Sequence, residues 1–226
     1  MYKAIIFDLD DTLYDYEQIN EKAIQELCDY TCKQFGISAS LFWEAFDWGR
    51  NITKQCLGDT GASHNRLLYC QKILEYIGQN PVCSALDMYE VYWGYMLDHM
   101  MLRDGAAELL EFCKENAIKV GICTDLTAHI QHRKIKKLGL APWIHALVTS
   151  EEAGAEKPAP IMYQLILDKL KVSPEHALFI GDSLKKDVQG AELSGMKALW
   201  FHPHCDTSYR TISSLREVKE IIHAEK

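Results

Sequence analysis

The sequence has no apolar run long enough to cross a membrane, and it has a shortage of positive charge. A membrane-spanning helix needs about 18 or more consecutive apolar residues, and no run in this chain approaches that length. Lys and Arg number 24 against 32 Asp and Glu, which gives a formal net charge of −8. Long-range attraction to nucleic acid or to anionic lipid is therefore not expected, so local cations must neutralise any phosphate ligand.

Paired cysteine motifs are absent as well, and so is the pattern of an export signal. The acidic segment MYKAIIFDLDDTL has no apolar stretch followed by a cleavage site. Disulfides belong mainly to exported chains, so the eight cysteines are expected to be reduced thiols in a cytoplasmic protein. Cys28 and Cys32 could share a helix face, but no second ligand pair with zinc-site spacing follows them.

Short apolar runs alternate with amphipathic stretches through most of the chain. The runs are typical of buried parallel strands, and they are predicted at 3–7, 118–123, 146–148, 177–180 and 197–201. Helices are predicted between and after them, at 106–116, 127–138, 161–170, 185–194 and 213–224. This alternation predicts an α/β fold with a Rossmann-like, doubly wound parallel sheet.

Polar residues follow four of these predicted strands. In doubly wound sheets, ligands bind beyond the carboxyl ends of the strands. The predicted topology therefore gathers Asp8, Thr124, Lys157 and Asp182 at one crevice.

Residues 15–99 break the alternation, because they are predicted to form helices only. The four helices are expected at 17–35, 39–57, 65–77 and 85–100. Glycines 36, 58 and 78 follow three of them as stops, and Ser38, Ser63 and Ser84 stand where N-caps belong. We therefore expect a catalytic core of residues 1–14 and 100–226, with residues 15–99 as a helical cap domain over the crevice.

Asp8 and Asp10 stand two residues apart in extended chain, so their side chains project to the same side. Two such carboxylates can flank one phosphoryl group. One can attack phosphorus to form an acyl phosphate, and the other can serve as acid and then as base. The alternative is a solvated turn after a strand, where Asp is common.

Four motifs occur in a fixed order along the chain: Phe7–Leu13 (FDLDDTL), Thr124, Lys157 within Glu-Lys-Pro, and the segment Gly181–Asp187. The haloacid dehalogenase-like hydrolases share these motifs in this order, and the chain resembles that superfamily over its whole length. The helical insert lies where that superfamily carries its type 1 cap. Dehalogenases lack the second carboxylate of the first motif, because a halide leaves without a proton, so Asp10 favours the phosphatase branch.

The resemblance implies a role for each motif residue. Asp8 would be the nucleophile and Asp10 the general acid and base, with catalytic support from Thr124 and Lys157. Mg²⁺ would be held by the Asp8 carboxylate, the Asp10 backbone carbonyl and the Asp182 carboxylate. Asp187 and Ser183 would support the metal site or Lys157. Apart from the resemblance, we expect Asp11 to have a structural role in the turn. The phosphate group would be bound by Asp8, Leu9, Thr124, Asp125 and Lys157.

Cations in the predicted cap offer a second place for substrate recognition. Arg50, Lys54, Asn65 and Arg66 could bind a further anionic or polar group of the substrate, or they could form an ordinary solvated helix face. A weaker resemblance to N-acylneuraminate-9-phosphatase-like members implies a sugar phosphate-like substrate. The alternatives are a nucleotide 5'-monophosphatase, a phosphomutase, or an inactive binding protein of the same fold.

The expected partner is a small phosphomonoester. No nucleic acid or membrane partner is expected, and the sequence leaves monomer and homodimer open.

Overall fold

The computed structural model describes residues 2–203 and 208–225, and the chain divides into two compact units. The first unit, called here the sheet unit, comprises Met1–Asp15 and Met101–Lys226, and the second, called here the helical unit, comprises Tyr16–Met100. Each boundary lies one residue from the position that the sequence analysis gives for the core and the cap.

The sheet unit contains six parallel strands, which confirms the predicted α/β class. The strands are β1 (Ala4–Phe7), β2 (Lys119–Thr124), β3 (Ile144–Thr149), β4 (Ala177–Gly181), β5 (Lys197–Phe201) and β6 (Thr211–Ile212), in the order β3-β2-β1-β4-β5-β6. Every neighbouring pair is parallel. The strand order reverses on either side of β1, and a ligand crevice forms at such a switch point.

Helices lie between most consecutive strands, as is usual for the crossovers of a parallel sheet. In this unit they are α5 (Ala106–Glu115), α6 (Ala128–Lys137), α7 (Ser150–Ala153), α8 (Pro160–Leu170), α9 (Gly190–Leu193) and α10 (Glu217–Ala224). Apolar residues of β1, β4 and α8 form one buried cluster, which includes Ile6, Phe179 and Ile166. A Cβ at Gly121 of β2 would lie 2.9 Å from a methyl group of Leu170, so glycine lets α8 pack closely on the sheet.

The helical unit contains four long helices, as predicted. They are α1 (Tyr16–Phe35), α2 (Ala39–Leu57), α3 (Arg66–Tyr76) and α4 (Ser84–His99). Ser38 caps α2, because its hydroxyl accepts a hydrogen bond from the amide of Leu41. The predicted glycine stops at 36, 58 and 78 all have positive φ angles, the backbone region in which glycine ends helices.

Two predicted N-caps are wrong. Ser63 lies inside a 3-10 turn, Gly61–His64, and Asn65 caps α3 by accepting a hydrogen bond from the amide of Leu67. Ser84 is the first residue of α4, so Cys83 occupies the N-cap position, and the Cys83 side chain makes no capping hydrogen bond. Asn lies among the strongest N-cap residues, so a competing cap two residues after Ser63 moved the start of α3.

The predicted helix at 185–194 is also wrong in its geometry. Leu184–Gln189 form a π-helical segment, and only Gly190–Leu193 continue as α-helix. The amide of Val188 donates to the carbonyl of Ser183, five residues earlier. Such wide turns occur frequently at functional sites.

The described cysteines are free thiols, at positions 28, 32, 56, 70, 83, 113 and 123. The sulfur atoms of Cys28 and Cys32 lie 3.9 Å apart on the same helix face. Cys205 lies outside the described residues. Among the helices that the structure describes, none has the length and apolar character that crossing a membrane requires.

Candidate active site

Asp8 follows β1 directly, and its backbone is held by the neighbouring strand. The amide of Asp8 donates to the carbonyl of Ile180 in β4 at 2.9 Å, so the β1–β4 pairing continues one residue past β1. The Asp8 side chain is 9% exposed. The chain then turns, because Leu13 donates to the carbonyl of Leu9 and Asp11 adopts a positive φ of 59°. The turn agrees with the structural role expected for Asp11.

Lys157 connects two carboxylates at this strand end. Its ammonium lies 2.6 Å from an oxygen of Asp8 and 2.6 Å from an oxygen of Asp187. All three side chains are nearly fully buried. Burial lowers the pKa of Lys157, but the carboxylates of Asp187 and Asp8 outweigh it and hold that pKa well above its ordinary value. Lys157 is therefore a buried cation at the base of the site.

The end of β4 and the π-helical segment orient Asp187. The second carboxylate oxygen of Asp187 accepts a hydrogen bond from the amide of Ser183 at 2.9 Å. A Cβ at Gly181 would overlap the Asp187 side chain, so only glycine leaves room for the carboxylate to reach Lys157. This contact to Lys157 is one of the two supporting roles expected for Asp187.

Asp182 brings a further carboxylate to the group. Asp8, Asp182 and Asp187 each offer one oxygen, and these oxygens all lie within 4.8 Å of one another. Burial raises the pKa of Asp182 to about 6, and the nearby carboxylates of Asp187 and Asp11 add to the shift. Burial also raises the pKa of Asp8 well above its ordinary value, although Lys157 opposes it. A set of oxygen ligands with mutual repulsion fits a hard divalent cation such as Mg²⁺.

Asp10 is held by two residues that the sequence analysis did not single out. The ammonium of Lys134 in α6 lies 2.7 and 2.8 Å from the two carboxylate oxygens of Asp10. The hydroxyl of Tyr14 donates to one of the same oxygens at 2.5 Å. Lys134 is fully buried, whereas the side chain of Asp10 is 21% exposed. The orientation of Asp10 is therefore fixed from the protein side, and its exposed side faces solvent.

Thr124 is the last residue of β2 and Asp125 follows it, and both have side-chain partners of their own. The hydroxyl of Thr124 accepts a hydrogen bond from the side-chain amide of Gln131 at 2.9 Å. One oxygen of Asp125 accepts from the amide of Lys157 at 3.0 Å, and the other lies 2.8 Å from the ammonium of Lys186. Asp125 thus orders the loop around Lys157 and holds a second lysine at the site.

One cavity of about 200 Å³ brings most of the predicted residues together. Its lining residues are Asp8, Asp10, Asp11, Thr124, Asp125, Lys157, Asp182, Ser183, Lys186 and Asp187. They include every residue that the resemblance assigns to catalysis, phosphate or metal, with one exception. The exception is Leu9, whose side chain is fully buried in the core and does not line the cavity. A contribution of Leu9 to phosphate binding would have to come from its backbone.

Sequence reasoning missed Lys134 because it lies in a basic stretch that resembles a solvated helix face. Lys134 stands four residues after Ile130 and four before Leu138, and both are buried. Its position on the apolar face of α6 was the signal that could have found it. Lys186 gave no such signal, since its role depends on the π-helical geometry.

The four candidates in the helical unit divide into two groups. Arg50, Lys54 and Arg66 line one cavity of that unit. Asn65 does not line it, because the Asn65 side chain caps α3.

An open parallel sheet with a lysine among carboxylates at its switch point defines an α/β protein with a polar ligand site at the carboxyl ends of its strands. A family model described as haloacid dehalogenase-like hydrolase matches residues 2–195. The chain therefore belongs to the haloacid dehalogenase-like hydrolases, as the sequence motifs predict.

Known relatives cover nearly the whole chain. A ribulose-1,5-bisphosphate 5-phosphatase of Halopiger xanaduensis is 35% identical over 90% of this chain and 86% of its own length. A glyceraldehyde 3-phosphate phosphatase of Methanopyrus kandleri is 31% identical over 87% of this chain and 82% of its own. The HAD-hydrolase YfnB of Bacillus subtilis, solved bound to magnesium, superposes with a TM-score of 0.74 at 22% identity, covering 98% of this chain and 99% of YfnB. This last likeness concerns the fold alone.

Proposed function

We propose that this protein is a phosphatase that hydrolyses small phosphorylated sugars, with Asp8 as the nucleophile. The observation that supports it most is the buried Asp8 carboxylate, which lies 2.6 Å from the ammonium of Lys157 and two residues before a second carboxylate, Asp10. The two relatives named as sugar phosphate phosphatases support the choice of substrate class.

In the first step, an oxygen of Asp8 attacks phosphorus, and the bond between phosphorus and the leaving oxygen breaks. The product is an acyl phosphate on Asp8. Asp10 donates a proton to the leaving oxygen, which departs as an alcohol. Lys157 stabilises the negative charge on the phosphoryl oxygens, and the hydroxyl of Thr124 donates a hydrogen bond to one of them.

In the second step, water attacks the same phosphorus atom. Asp10, now ionised, takes a proton from that water, and the bond between phosphorus and Asp8 breaks. The products are inorganic phosphate and the free Asp8 carboxylate, so the residues return to their starting state. Asp10 favours this chemistry over halide displacement, since an alkoxide needs a proton to leave whereas a halide does not.

Mg²⁺ fits the same site. The carboxylates of Asp8 and Asp182 and the backbone carbonyl of Asp10 would hold it, and it would supply positive charge next to the phosphoryl oxygens. Asp187 and Ser183 support this arrangement from the Lys157 side. The free thiols support a cytoplasmic location, where reduced cysteine is the rule.

The test is phosphate release from a panel of phosphorylated sugars and from p-nitrophenyl phosphate, with Mg²⁺ present. Asp8→Asn should lower kcat by at least about 1000-fold, because the amide cannot form the acyl phosphate. The matched control is Asp168→Asn, which makes the same charge change at an exposed residue of α8. A wild-type protein without turnover of any phosphomonoester, or an active Asp8→Asn variant, would refute the proposal. The first result would instead indicate an inactive binding protein of this fold.

A further inference from the structure

The helical unit has a cavity of its own, of about 240 Å³, here called the cationic cavity. It is lined by polar, cationic and apolar side chains of α1, α2, the 3-10 turn and α3, namely Tyr16, Asn20, Ile24, Phe46, Arg50, Lys54, His64, Arg66 and Tyr69. Within residues 2–203 and 208–225, the lining includes no Asp or Glu. Its charge is thus opposite to that of the chain as a whole, whose net charge is −8.

Arg66 is held rigidly at the wall of this cavity. Its guanidinium donates to the hydroxyl of Tyr16 at 2.6 Å and to the carbonyl of His64 at 3.0 Å. It also lies 5.0 Å from the ring centre of Tyr69, a cation–π distance. The third nitrogen of the guanidinium, Nε, is buried and has no hydrogen-bond partner in the structure. A buried donor without a partner is costly, so an acceptor from a ligand would stabilise it.

Two further cations stand on one face of α2. Arg50 and Lys54 are four residues apart, so their side chains lie one helical turn from each other. This spacing places two positive charges on one side of the cavity, and an anion near Arg50 would be attracted to both. Arg50 is exposed at the cavity, so it is accessible to a ligand from solvent.

We propose that the cationic cavity binds the phosphoryl group of a small phosphorylated molecule. The cavity brings together two guanidinium groups and an ammonium, and guanidinium donors match phosphate oxygens in pairs. A phosphoryl group offers acceptors to Arg66 Nε, to Arg50 and to Lys54 at once. The apolar side chains Ile24 and Phe46 limit the entry of competing water and strengthen these contacts.

The direct test is a titration of the full chain with inorganic phosphate. NMR monitors the titration through the side-chain Nε–H signals of the arginines. The Arg66 signal, identified by its loss in Arg66→Lys, should shift and saturate as phosphate is added. Arg50→Gln and Lys54→Gln should each weaken the phosphate affinity read from this signal about tenfold, since each removes a charged hydrogen bond.

Lys22→Gln is the matched control, because it removes the same charge from an exposed residue of α1 that does not line the cavity. This control should keep the wild-type affinity. An Arg66 signal that does not saturate up to about 10 mM phosphate would overturn the proposal. The proposal would also be overturned if Lys22→Gln and Arg50→Gln weakened the phosphate affinity equally. None of these measurements requires turnover, so they stand even if the proposed phosphatase activity fails.

The phosphoryl group could belong to the substrate or to a separate molecule, and kinetics distinguishes the two sources. This second experiment rests on the proposed function, and it compares ribulose 1,5-bisphosphate with p-nitrophenyl phosphate. If the cavity takes a second phosphoryl group of the substrate, Arg50→Gln should raise KM about tenfold for the bisphosphate alone. If the cavity binds a separate molecule, Arg50→Gln should leave the KM values of both substrates unchanged, while the phosphate affinity measured by NMR still falls. Either result supports a phosphoryl site in the cavity and assigns its source.

Discussion

At the scale of single residues, the most informative contact is the one between Asp10 and Lys134. Lys134 is fully buried and donates to both oxygens of Asp10, while Tyr14 donates to one of them. A general acid must stand within hydrogen-bond reach of the leaving oxygen, and small displacements cost rate. We therefore interpret Lys134 and Tyr14 as positioning residues for the Asp10 carboxylate.

Lys134→Met should lower kcat/KM for alkyl phosphates by about 10- to 100-fold, which is part of the usual contribution of a general acid. For p-nitrophenyl phosphate the loss should stay below about threefold, because that phenolate leaves without a proton. Tyr14→Phe should also lower kcat/KM more for alkyl phosphates than for p-nitrophenyl phosphate, but by a smaller factor. The measurement is a leaving-group series of phosphomonoesters assayed with each variant.

Lys136→Met serves as the control for this series, since it makes the same change at an exposed position of α6. Lys136→Met should leave kcat/KM unchanged for every substrate of the series. Equal losses for alkyl and nitrophenyl substrates in Lys134→Met would show that Lys134 only stabilises the fold, and the positioning role would then be wrong.

At the scale of elements, helix starts in this protein depend on single side chains. Ser38 has an extended backbone, and its hydroxyl accepts the amide hydrogen of Leu41 at 3.2 Å. That bond satisfies one of the amides that the first turn of α2 leaves without an intrahelical partner. The same logic applies to Asn65 at α3.

Ser38→Ala should reduce the free energy of unfolding by about 1 kcal/mol. In a chain of 226 residues this corresponds to a fall in Tm of about 2–4 °C where unfolding is a single transition. Thermal unfolding measures the change, and amide exchange at the start of α2 should become faster. Ser40→Ala, two residues further into α2, should change neither quantity. A Tm loss equal in both variants would contradict the capping role.

At the scale of the whole molecule, the last residues of the chain are tied to distant parts of the sheet unit. The carboxylate of Glu225 accepts hydrogen bonds from Tyr2 at 2.6 Å, Lys197 at 2.8 Å and Arg210 at 2.5 Å. Burial alone would raise the pKa of Glu225, but these hydrogen bonds lower it to about 2. One side chain thus connects α10 to β5 and to the segments before β1 and β6.

Glu225→Gln should lower Tm at pH 7 and have little effect on it at low pH. The pKa of Glu225 is lower in the folded chain than the value of about 4.3 for free glutamate, so the ionised form stabilises the fold. This stabilisation is complete above about pH 5 and is lost as the pH falls towards 2. Thermal unfolding at several pH values between 7 and 3 measures the decline.

Glu220→Gln removes the same charge from an exposed residue of α10 and is the control for this comparison. Its Tm should match the wild-type value throughout the series. A difference between Glu225→Gln and wild type that does not depend on pH would exclude an ionised Glu225 as the cause.

The sequence alone determined the class of fold and the places of β1 to β5 along the chain, whereas the two-residue strand β6 (Thr211–Ile212) was not predicted. Short apolar runs that alternate with helical stretches are typical of buried parallel strands. The position of Asp8, Thr124 and Asp182 at strand ends follows from those runs, and so does their gathering at one sheet edge. The glycine stops and the Ser38 cap could also be predicted from the sequence, because each depends on one residue and its immediate neighbours.

Only the tertiary structure decided which side chains pair within the site. Lys134 reaches Asp10 across 124 residues of sequence, and Lys186 reaches Asp125 through a π-helical turn. Such pairings depend on how helices pack against the sheet, which no local pattern specifies. The cationic cavity is likewise a product of packing, because its lining residues come from α1, α2, the 3-10 turn and α3. Local chemistry therefore fixed where the reactive groups stand, and long-range packing fixed which partners orient them.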